Sequence, residues 1–151
     1  MHSSVFNFVK DLNLKGKTLD VGSYNVNGCV REFFDDYVGV DMREGPNVDI
    51  ITTANNLPFE NETFDNVLCL EMLEHDARFW ESIKEMYRVL KPNGSFVITT
   101  RSNGFPNHDY PYDYFRFSKD SLISLFEMVE CKNISVLDDW EAPGVLGVAT
   151  K

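Results

Sequence analysis

The sequence contains no apolar run near the ~20 residues that a helix needs to cross a bilayer. Its first six residues also lack the basic and long apolar regions of a signal peptide. The three cysteines, Cys29, Cys69 and Cys131, are far apart and odd in number, so their spacing indicates neither a metal site nor a disulfide framework. We therefore expect a chain without membrane spans, disulfides or a bound metal, in a reducing cytoplasm.

Clusters of lysine and arginine are absent as well. The chain has 14 basic and 24 acidic residues, which gives a net charge of -10. Tight binding to a nucleic-acid backbone depends on cationic side chains, so this composition gives no strong nucleic-acid signal. A local basic patch remains compatible with a negative total. The negative charge weakly suits a positively charged ligand, although solubility explains it more simply.

The length and the apolar content indicate one folded unit. The chain has 151 residues, of which 43% are hydrophobic and 13% aromatic, enough for a single core without disulfides. We find no repeats and no low-complexity tract. The sequence therefore predicts one domain over residues 1–151.

A glycine turn between two short apolar strands organises the chain. Leu19–Val21 precedes the turn from Gly22 to Gly28, and a second strand ends on Asp41. The turn lacks the Gly-x-Gly-x-x-Gly pattern of dinucleotide sites, and no lysine follows at P-loop spacing. Asp41 is placed to accept hydrogen bonds from two ribose hydroxyls. The pattern thus favours an adenosine without a phosphate chain.

Hydrophobic periodicity predicts that strands and helices alternate along the chain. Residues 64–70 are almost continuously apolar, as expected of a strand buried on both faces. The other predicted strands are 19–21, 37–41, 48–51, 95–100, 131–138 and 145–150, and the predicted helices are 3–14, 28–36, 77–91 and 118–127, with Ser118 as the N-cap of the last.

Two motifs carry a resemblance to a known family. The Leu-Asp-Val-Gly-Ser run at residues 19–23, with Asp41 downstream, resembles the first motif of class I methyltransferases of the type 11-like group, which use S-adenosylmethionine. The Leu-Lys-Pro-Asn-Gly run at residues 90–94 resembles a later motif of the same family. The resemblance covers about residues 17–150. It implies an α/β, Rossmann-like, doubly wound fold with a mostly parallel seven-stranded sheet and an antiparallel C-terminal hairpin.

The resemblance also implies which residues bind S-adenosylmethionine. The sequence departs from the family pattern at Tyr24, where a glycine is usual, and before Leu57, where an aspartate is missing and either Ala54 or Asn55 occupies its place. The predicted cofactor-binding residues are Asp20, Gly22, Ser23, Gly28, Asp41, Met42, Asn55, Leu57 and Glu71.

The segment after the fifth strand, residues 101–117, is rich in aromatic and charged residues. It lies at the carboxyl end of the sheet, where open α/β folds bind ligands. We predict His108 and Asp109 as the groups that take a proton from the acceptor, and Tyr110, Tyr112 and Arg116 as acceptor-binding residues. Arg116 has a structural alternative, since an ion pair with Asp113 would fix the segment.

The function that follows is methyl transfer from S-adenosylmethionine to a small acceptor, with sugar-like molecules among the candidates. One alternative is methylation of a protein or nucleic acid with the help of a partner. A second is a cofactor-binding or cofactor-degrading protein without transferase activity. The oligomeric state is open, and a dimer through the edge strands is one option.

Overall fold

The computed structural model describes residues 1–108 and 112–151. Within these residues, seven strands, numbered β1 to β7 in chain order, form one sheet in the order β3-β2-β1-β4-β5-β7-β6. The strands β1 to β5 run parallel, and β7 lies antiparallel between β5 and β6. Their bounds are Thr18–Val21, Tyr37–Asp41, Ile50–Ile51, Phe64–Leu70, Leu90–Arg101, Lys132–Asp138 and Gly144–Thr150. The predicted fold class, with its antiparallel C-terminal hairpin, is confirmed.

In the part of the chain that the structure describes, three helices cover the two faces of the sheet: α1 (Ser3–Asp11), α2 (Phe79–Val89) and α3 (Lys119–Met128). The apolar side chains of α1 pack with Leu68 and Val97 on one face. Those of α2 and α3 pack with Val67 and Phe96 on the other. Strand β4 is therefore buried on both faces, which explains its almost continuous apolar sequence.

The predicted helix over residues 28–36 is wrong. The structure has only a 3-10 turn there, Arg31–Phe33. Gly28 has a φ of +127°, which a helix start does not allow, and Phe34 is already extended. The segment is also too short to form a helix from its own propensity. Its aromatic rings instead pack against the apolar face of α1.

Strand β5 begins earlier than predicted, at Leu90 instead of residue 95. Leu90 pairs with Phe64, and an irregularity in the ladder accommodates the turn-forming residues that follow. Asn93 adopts a φ of +62°, and its N–H donates to the carbonyl of Lys151 at 2.9 Å. The C-terminal residue thereby fixes the start of β5.

Helix α3 begins as predicted, because Ser118 caps it. The Ser118 hydroxyl accepts a hydrogen bond from the backbone N–H of Ser121, and the Ser121 hydroxyl accepts one from the N–H of Ser118. Two of the N–H groups at this end, which a helix leaves without partners, are satisfied in this way. The cap fixes where the chain leaves segment 101–117 and returns to the sheet.

Candidate functional site

A cavity of about 710 Å³ opens at the carboxyl ends of β1, β2 and β4. This is the edge of a parallel sheet at which open α/β folds bind ligands, and the volume lies within the range of small-molecule sites. Its wall includes residues 20–24, 40–43, 52–55 and 70–72, the first two residues of the chain, and parts of segment 105–114. A smaller hollow of about 370 Å³ lies elsewhere, around Leu12–Lys15 and Lys91–Ser95.

The glycine turn after β1 is held against the loop after β2. The backbone N–H groups of Gly22 and Ser23 both donate to the carbonyl of Val40, at 2.9 and 3.0 Å. The Ser23 hydroxyl donates to the carbonyl of Asn47 at 3.0 Å. Gly22 has a φ of +84°, and a Cβ there would lie 2.5 Å from the side chain of Met72. Only glycine therefore fits at this position.

Tyr24 stands where the family pattern has a glycine, and its ring packs away from the turn. A Cβ on Gly45 would lie 2.1 Å from the Tyr24 ring, so the ring rests directly on Gly45. The guanidinium of Arg43 lies over the same ring, 4.4 Å from its centroid. Tyr24 thus forms part of the cavity wall without filling the cavity.

Asp41 ends β2 and contributes its carboxylate to the cavity wall. Its Oδ2 accepts a hydrogen bond from the N–H of Tyr24 at 3.3 Å, and its Oδ1 accepts one from the N–H of Arg43 at 3.0 Å. A carboxylate has about four acceptor sites, so these two bonds orient Asp41 and leave acceptor capacity for a ligand.

Asp20 lies deeper, in the middle of β1. Its Oδ2 accepts a 2.5 Å hydrogen bond from the hydroxyl of Tyr37 on the neighbouring strand. Its Oδ1 is buried, has no hydrogen-bond partner in the described part of the chain, and belongs to a residue of the cavity wall. Burial raises the pKa of Asp20 to about 6, although the hydrogen bond from Tyr37 opposes the shift. The cavity therefore contains a buried carboxylate oxygen that a cationic ligand would satisfy.

Arg101, the last residue of β5, joins two acidic residues in the interior. Its side chain is completely buried, forms an ion pair with Glu71, and donates from Nη1 to Asp139 Oδ2 at 3.1 Å. Glu71 also accepts a hydrogen bond from the hydroxyl of Thr99 at 2.9 Å. Burial, and then the charge of Glu74, raise the pKa of Glu71, while Arg101 lowers it.

Glu74, His75 and His108 form a second cluster beside the first. The side chain of Glu74 is completely buried, and its Oε2 accepts a hydrogen bond from the Thr100 hydroxyl at 2.7 Å. The ring of His108 packs edge-on against that of His75, with centroids 4.7 Å apart. His108 is half-buried, and burial, followed by the charge of His75, lowers its pKa.

Residues 105–108 and 113–117 are held against this cluster by backbone and side-chain hydrogen bonds. The carbonyl of Glu74 accepts hydrogen bonds from the N–H groups of Tyr114 and Phe115. Arg116 donates to both carboxylate oxygens of Asp113 at 2.5 Å, and it also donates to three carbonyls of the segment. Asp113 in turn accepts from the N–H of His108 at 2.9 Å.

The predicted site residues fall into three groups. The cavity wall brings together most of them: Asp20, Gly22, Ser23, Gly28, Asp41, Met42, Asn55, Glu71, His108 and Tyr112. Leu57 and Arg116 lie outside the wall, Leu57 in the core and Arg116 within its own segment. Asp109 and Tyr110 lie outside the described residues.

Sequence reasoning did not select several residues that the structure places at the site. Arg101, Glu74 and His75 have buried or half-buried side chains around the cavity. A signal was present, because charged residues directly follow the apolar runs of β4 and β5. Met72, Phe105 and Tyr114 also belong to the cavity wall.

Comparison with known proteins identifies the family. A sequence profile described as a methyltransferase domain matches residues 19–98, which is more than half of the chain. The chain belongs to this methyltransferase family. The matched part of the domain runs from β1 into β5 and includes the glycine turn, Asp41, and the Glu71–His75 run.

Curated relatives share part of this methyltransferase domain. A demethylmenaquinone methyltransferase of Symbiobacterium thermophilum is 34% identical over 84 residues, which cover 45% of this chain and 34% of that protein. A fatty-acid O-methyltransferase of Mycolicibacterium smegmatis is 32% identical over 93 residues, covering 62% and 30%. The chain thus spans about a third of the length of the curated relatives it matches.

Solved structures share the fold along nearly the whole methyltransferase domain. An S-adenosylmethionine-dependent methyltransferase of Thermotoga maritima superimposes with a TM-score of 0.78 at 20% identity, covering 99% of this chain and 88% of the other. The 1,6-didemethyltoxoflavin-N1-methyltransferase of Burkholderia thailandensis, solved with its substrate and S-adenosylhomocysteine, gives 0.76 at 16%, covering 99% and 77%. Among the described residues, no helix has the length and apolarity needed to span a membrane.

Proposed function

We propose that residues 1–151 act as one methyltransferase domain that binds S-adenosylmethionine in the cavity and transfers its methyl group to a small acceptor. The observation that carries this proposal is the pair of carboxylates in the wall. Asp41 faces the cavity with acceptor capacity left, and Asp20 has a buried oxygen without a partner. A ribose diol and an ammonium group are the matching partners, and S-adenosylmethionine has both.

The residues present fit this donor. Gly22 lets the turn pack closely against Met72, and both residues belong to the cavity wall. In this proposal Asp41 binds the ribose, and the half-buried Asn55, whose amide nitrogen donates to Glu81, contacts the adenine through its amide oxygen. Glu71 already binds Arg101 and Thr99, so Asp20 is the freer acceptor for an ammonium group. The acidic wall also favours the positively charged sulfur.

When bound, the donor supplies a methyl carbon on a positively charged sulfur, and the bond between them breaks as the acceptor's lone pair forms the new bond. The chain's part is to align the acceptor with that carbon, since alignment is the main source of rate in such a displacement. Tyr112, Tyr114 and His108 face the cavity from one segment. They are the groups placed to hold the acceptor, and His108 is the group placed to take its proton.

A small acceptor is favoured by the volume of the cavity, about 710 Å³, which lies within the range of small-molecule sites. The demethylmenaquinone, fatty-acid and toxoflavin methyltransferases among the similar proteins are also named for small molecules. Sugar-like acceptors, a macromolecular acceptor with a partner, dimerisation and a cytoplasmic location stay predictions. So does the alternative of a protein that binds or degrades the donor without transferring its methyl group.

Isothermal titration with S-adenosylmethionine and S-adenosylhomocysteine tests donor binding. We expect 1:1 binding that Asp41→Asn weakens at least about 10-fold, because one ribose acceptor is lost. Asp35→Asn is the matched control, because that aspartate is exposed. An absence of binding to the wild-type protein, or equal binding by both variants, would contradict the proposed site.

A screen with methyl-labelled donor over hydroxyl, amine and thiol acceptors tests transfer. Label should appear in a small acceptor, and His108→Ala should lower turnover while the affinity for S-adenosylhomocysteine is kept. Product analysis by mass spectrometry identifies the competing outcomes. Label found only in cleaved donor would indicate degradation, and label found only in protein or RNA would indicate a macromolecular acceptor.

A further inference from the structure

One carboxylate and two imidazoles converge at the inner edge of the cavity. Single ligand atoms of Glu74, His75 and His108 lie within 4.8 Å of one another. Both histidines belong to the cavity wall, and Glu74 lies behind them. Glutamate oxygen and imidazole nitrogen are ligands that divalent first-row metals accept.

Glu74 has an oxygen that no described residue satisfies. Its side chain is completely buried, and Oε2 is bound by Thr100, but Oε1 has no hydrogen-bond partner among residues 1–108 and 112–151. That Oε1 lies 3.9 Å from His108 Nε2. Burial raises the pKa of Glu74 and the positive charges of Arg101 and Arg116 lower it, yet neither residue donates a hydrogen bond to Oε1. A buried carboxylate oxygen left in this way indicates a missing cationic partner.

Each histidine is oriented so that its Nε2 is available. His75 Nδ1 lies 2.6 Å from the carbonyl of Tyr112. A carbonyl only accepts, so this nitrogen carries a proton, and in the neutral imidazole Nε2 is then the nitrogen with the lone pair. His108 Nδ1 lies 3.2 Å from Asp113 Oδ2 without forming a hydrogen bond to it, while the Nε2 of this histidine lies on the side of Glu74. Histidines that bind metals usually have their second nitrogen held by a carbonyl or a carboxylate, as His75 has.

We propose that Glu74, His75 and His108 bind a divalent transition-metal cation at the edge of the cavity, through Glu74 Oε1 and the Nε2 atoms of the two histidines. The three atoms must approach one another, since metal–ligand distances are about 2.0–2.2 Å. Two histidines and one carboxylate leave coordination positions open toward the cavity, as in catalytic metal sites.

The use of this cation rests on the proposed methyl transfer, whereas the binding itself does not. A cation here would hold an acceptor that carries a hydroxyl group, and it would lower the pKa of that hydroxyl. The hydroxyl proton then leaves to water, the oxygen lone pair forms the bond to the methyl carbon, and the electron pair of the broken bond stays on sulfur. With the cation bound, His108 would be one of its ligands, and the role of His108 as base would apply only to the protein without the cation.

Metal binding is measured directly on untagged protein that has been treated with a chelator and holds no donor. Titration with Co²⁺ followed by visible absorption, and equilibrium dialysis with Zn²⁺, should both give one ion per chain. We expect His75→Asn and His108→Asn each to weaken binding by about 10- to 100-fold or more, because each removes one ligand. Glu74→Gln should do the same, with circular dichroism to check that it folds.

The third histidine of the chain provides the matched control. His2 pairs with Glu141 at 3.5 Å and lies outside the cluster, so His2→Asn should bind Co²⁺ and Zn²⁺ as the wild type does. The proposal is overturned if the wild-type protein binds no stoichiometric metal, or if His75→Asn and His108→Asn bind as the wild type does. Both measurements omit the donor, so their results do not depend on whether the donor binds or whether its methyl group is transferred.

Discussion

The hydroxyl of Tyr37 on β2 donates a 2.5 Å hydrogen bond to the carboxylate of Asp20 on β1. Asn47 donates to the same tyrosine oxygen at 2.9 Å, so the hydroxyl is fixed in place. Burial raises the pKa of Tyr37, which keeps it a donor. The bond links two adjacent strands directly beneath the cavity. It satisfies one oxygen of Asp20 and leaves the other for a ligand.

The raised pKa of Asp20 predicts how stability depends on pH. Its pKa is 3.8 in the unfolded chain and about 6 in the folded one. The stability that Asp20 contributes to the folded state is therefore fully present below the unfolded pKa of 3.8, and it is lost as pH rises through the folded pKa of about 6. The difference of about two units corresponds to roughly 3 kcal/mol. We expect Asp20→Asn to raise the free energy of unfolding by up to that amount at pH 7.5.

Urea unfolding of the wild type and Asp20→Asn between pH 4 and pH 7.5 measures this effect. The difference between the two proteins is the informative quantity, because contributions of the other carboxylates cancel in it. The advantage of the variant should grow as pH rises through the range between the two pKa values. A difference that is constant with pH would show that Asp20 does not titrate there.

Gly22→Ala separates backbone strain from steric fit. Gly22 and Gly104 both have positive φ, +84° and +99°. A Cβ at Gly22 lies 2.5 Å from Met72, whereas at Gly104 its nearest neighbour is Pro143 at 3.6 Å. Both alanine variants should therefore lose about 1–2 kcal/mol of stability from strain. Only Gly22→Ala should also displace the turn, with donor affinity falling at least about 10-fold.

Titration with S-adenosylhomocysteine, together with urea unfolding of both variants, gives the two quantities. Gly104→Ala serves as the control for strain alone. If both variants bind the ligand as the wild type does, the close approach at Gly22 has no part in donor binding.

How far the sequence predicts this molecule depends on the range of the interactions involved. Strand β4 and the cap at Ser118 follow from local pattern and local hydrogen bonds, so both were predictable. The turn within residues 28–36 was not predictable, because the positive φ of Gly28 and the packing of the segment against α1 override the helical spacing of its apolar residues. Tertiary packing decides such short segments.

The candidate site shows the same limit. Asp41 and the glycine turn are close in sequence, and the family motif points to them together. Arg101 meets Asp139 at 3.1 Å although 38 residues separate them. Glu74 meets His108 across a similar gap. Pairings of this range depend on how β5 and the segment after it return to the sheet, which no local pattern records.

Arg101→Met tests the buried charge network. The side chains of Arg101 and Asp139 are both completely buried, and the guanidinium of Arg101 also forms an ion pair with Glu71. Removal of the cation leaves two buried carboxylates without their partner, which typically costs about 3–5 kcal/mol. Urea unfolding of Arg101→Met should show this loss. The double variant Arg101→Met with Asp139→Asn should recover part of it, and a double variant as unstable as the single one would contradict the network.

Arg116→Lys decides between the two roles considered for Arg116. Its guanidinium holds both oxygens of Asp113, and Asp113 holds the N–H of His108. Lysine keeps the charge but loses the two parallel hydrogen bonds. If Arg116 is a positioning residue, the Arg116→Lys protein should be about 1–3 kcal/mol less stable and should have a lower kcat, while its affinity for S-adenosylhomocysteine is unchanged. As a direct acceptor-binding residue, it should change mainly the KM for acidic acceptors. The position of Arg116 outside the cavity wall favours the first result, and a raised KM with unchanged stability would exclude it.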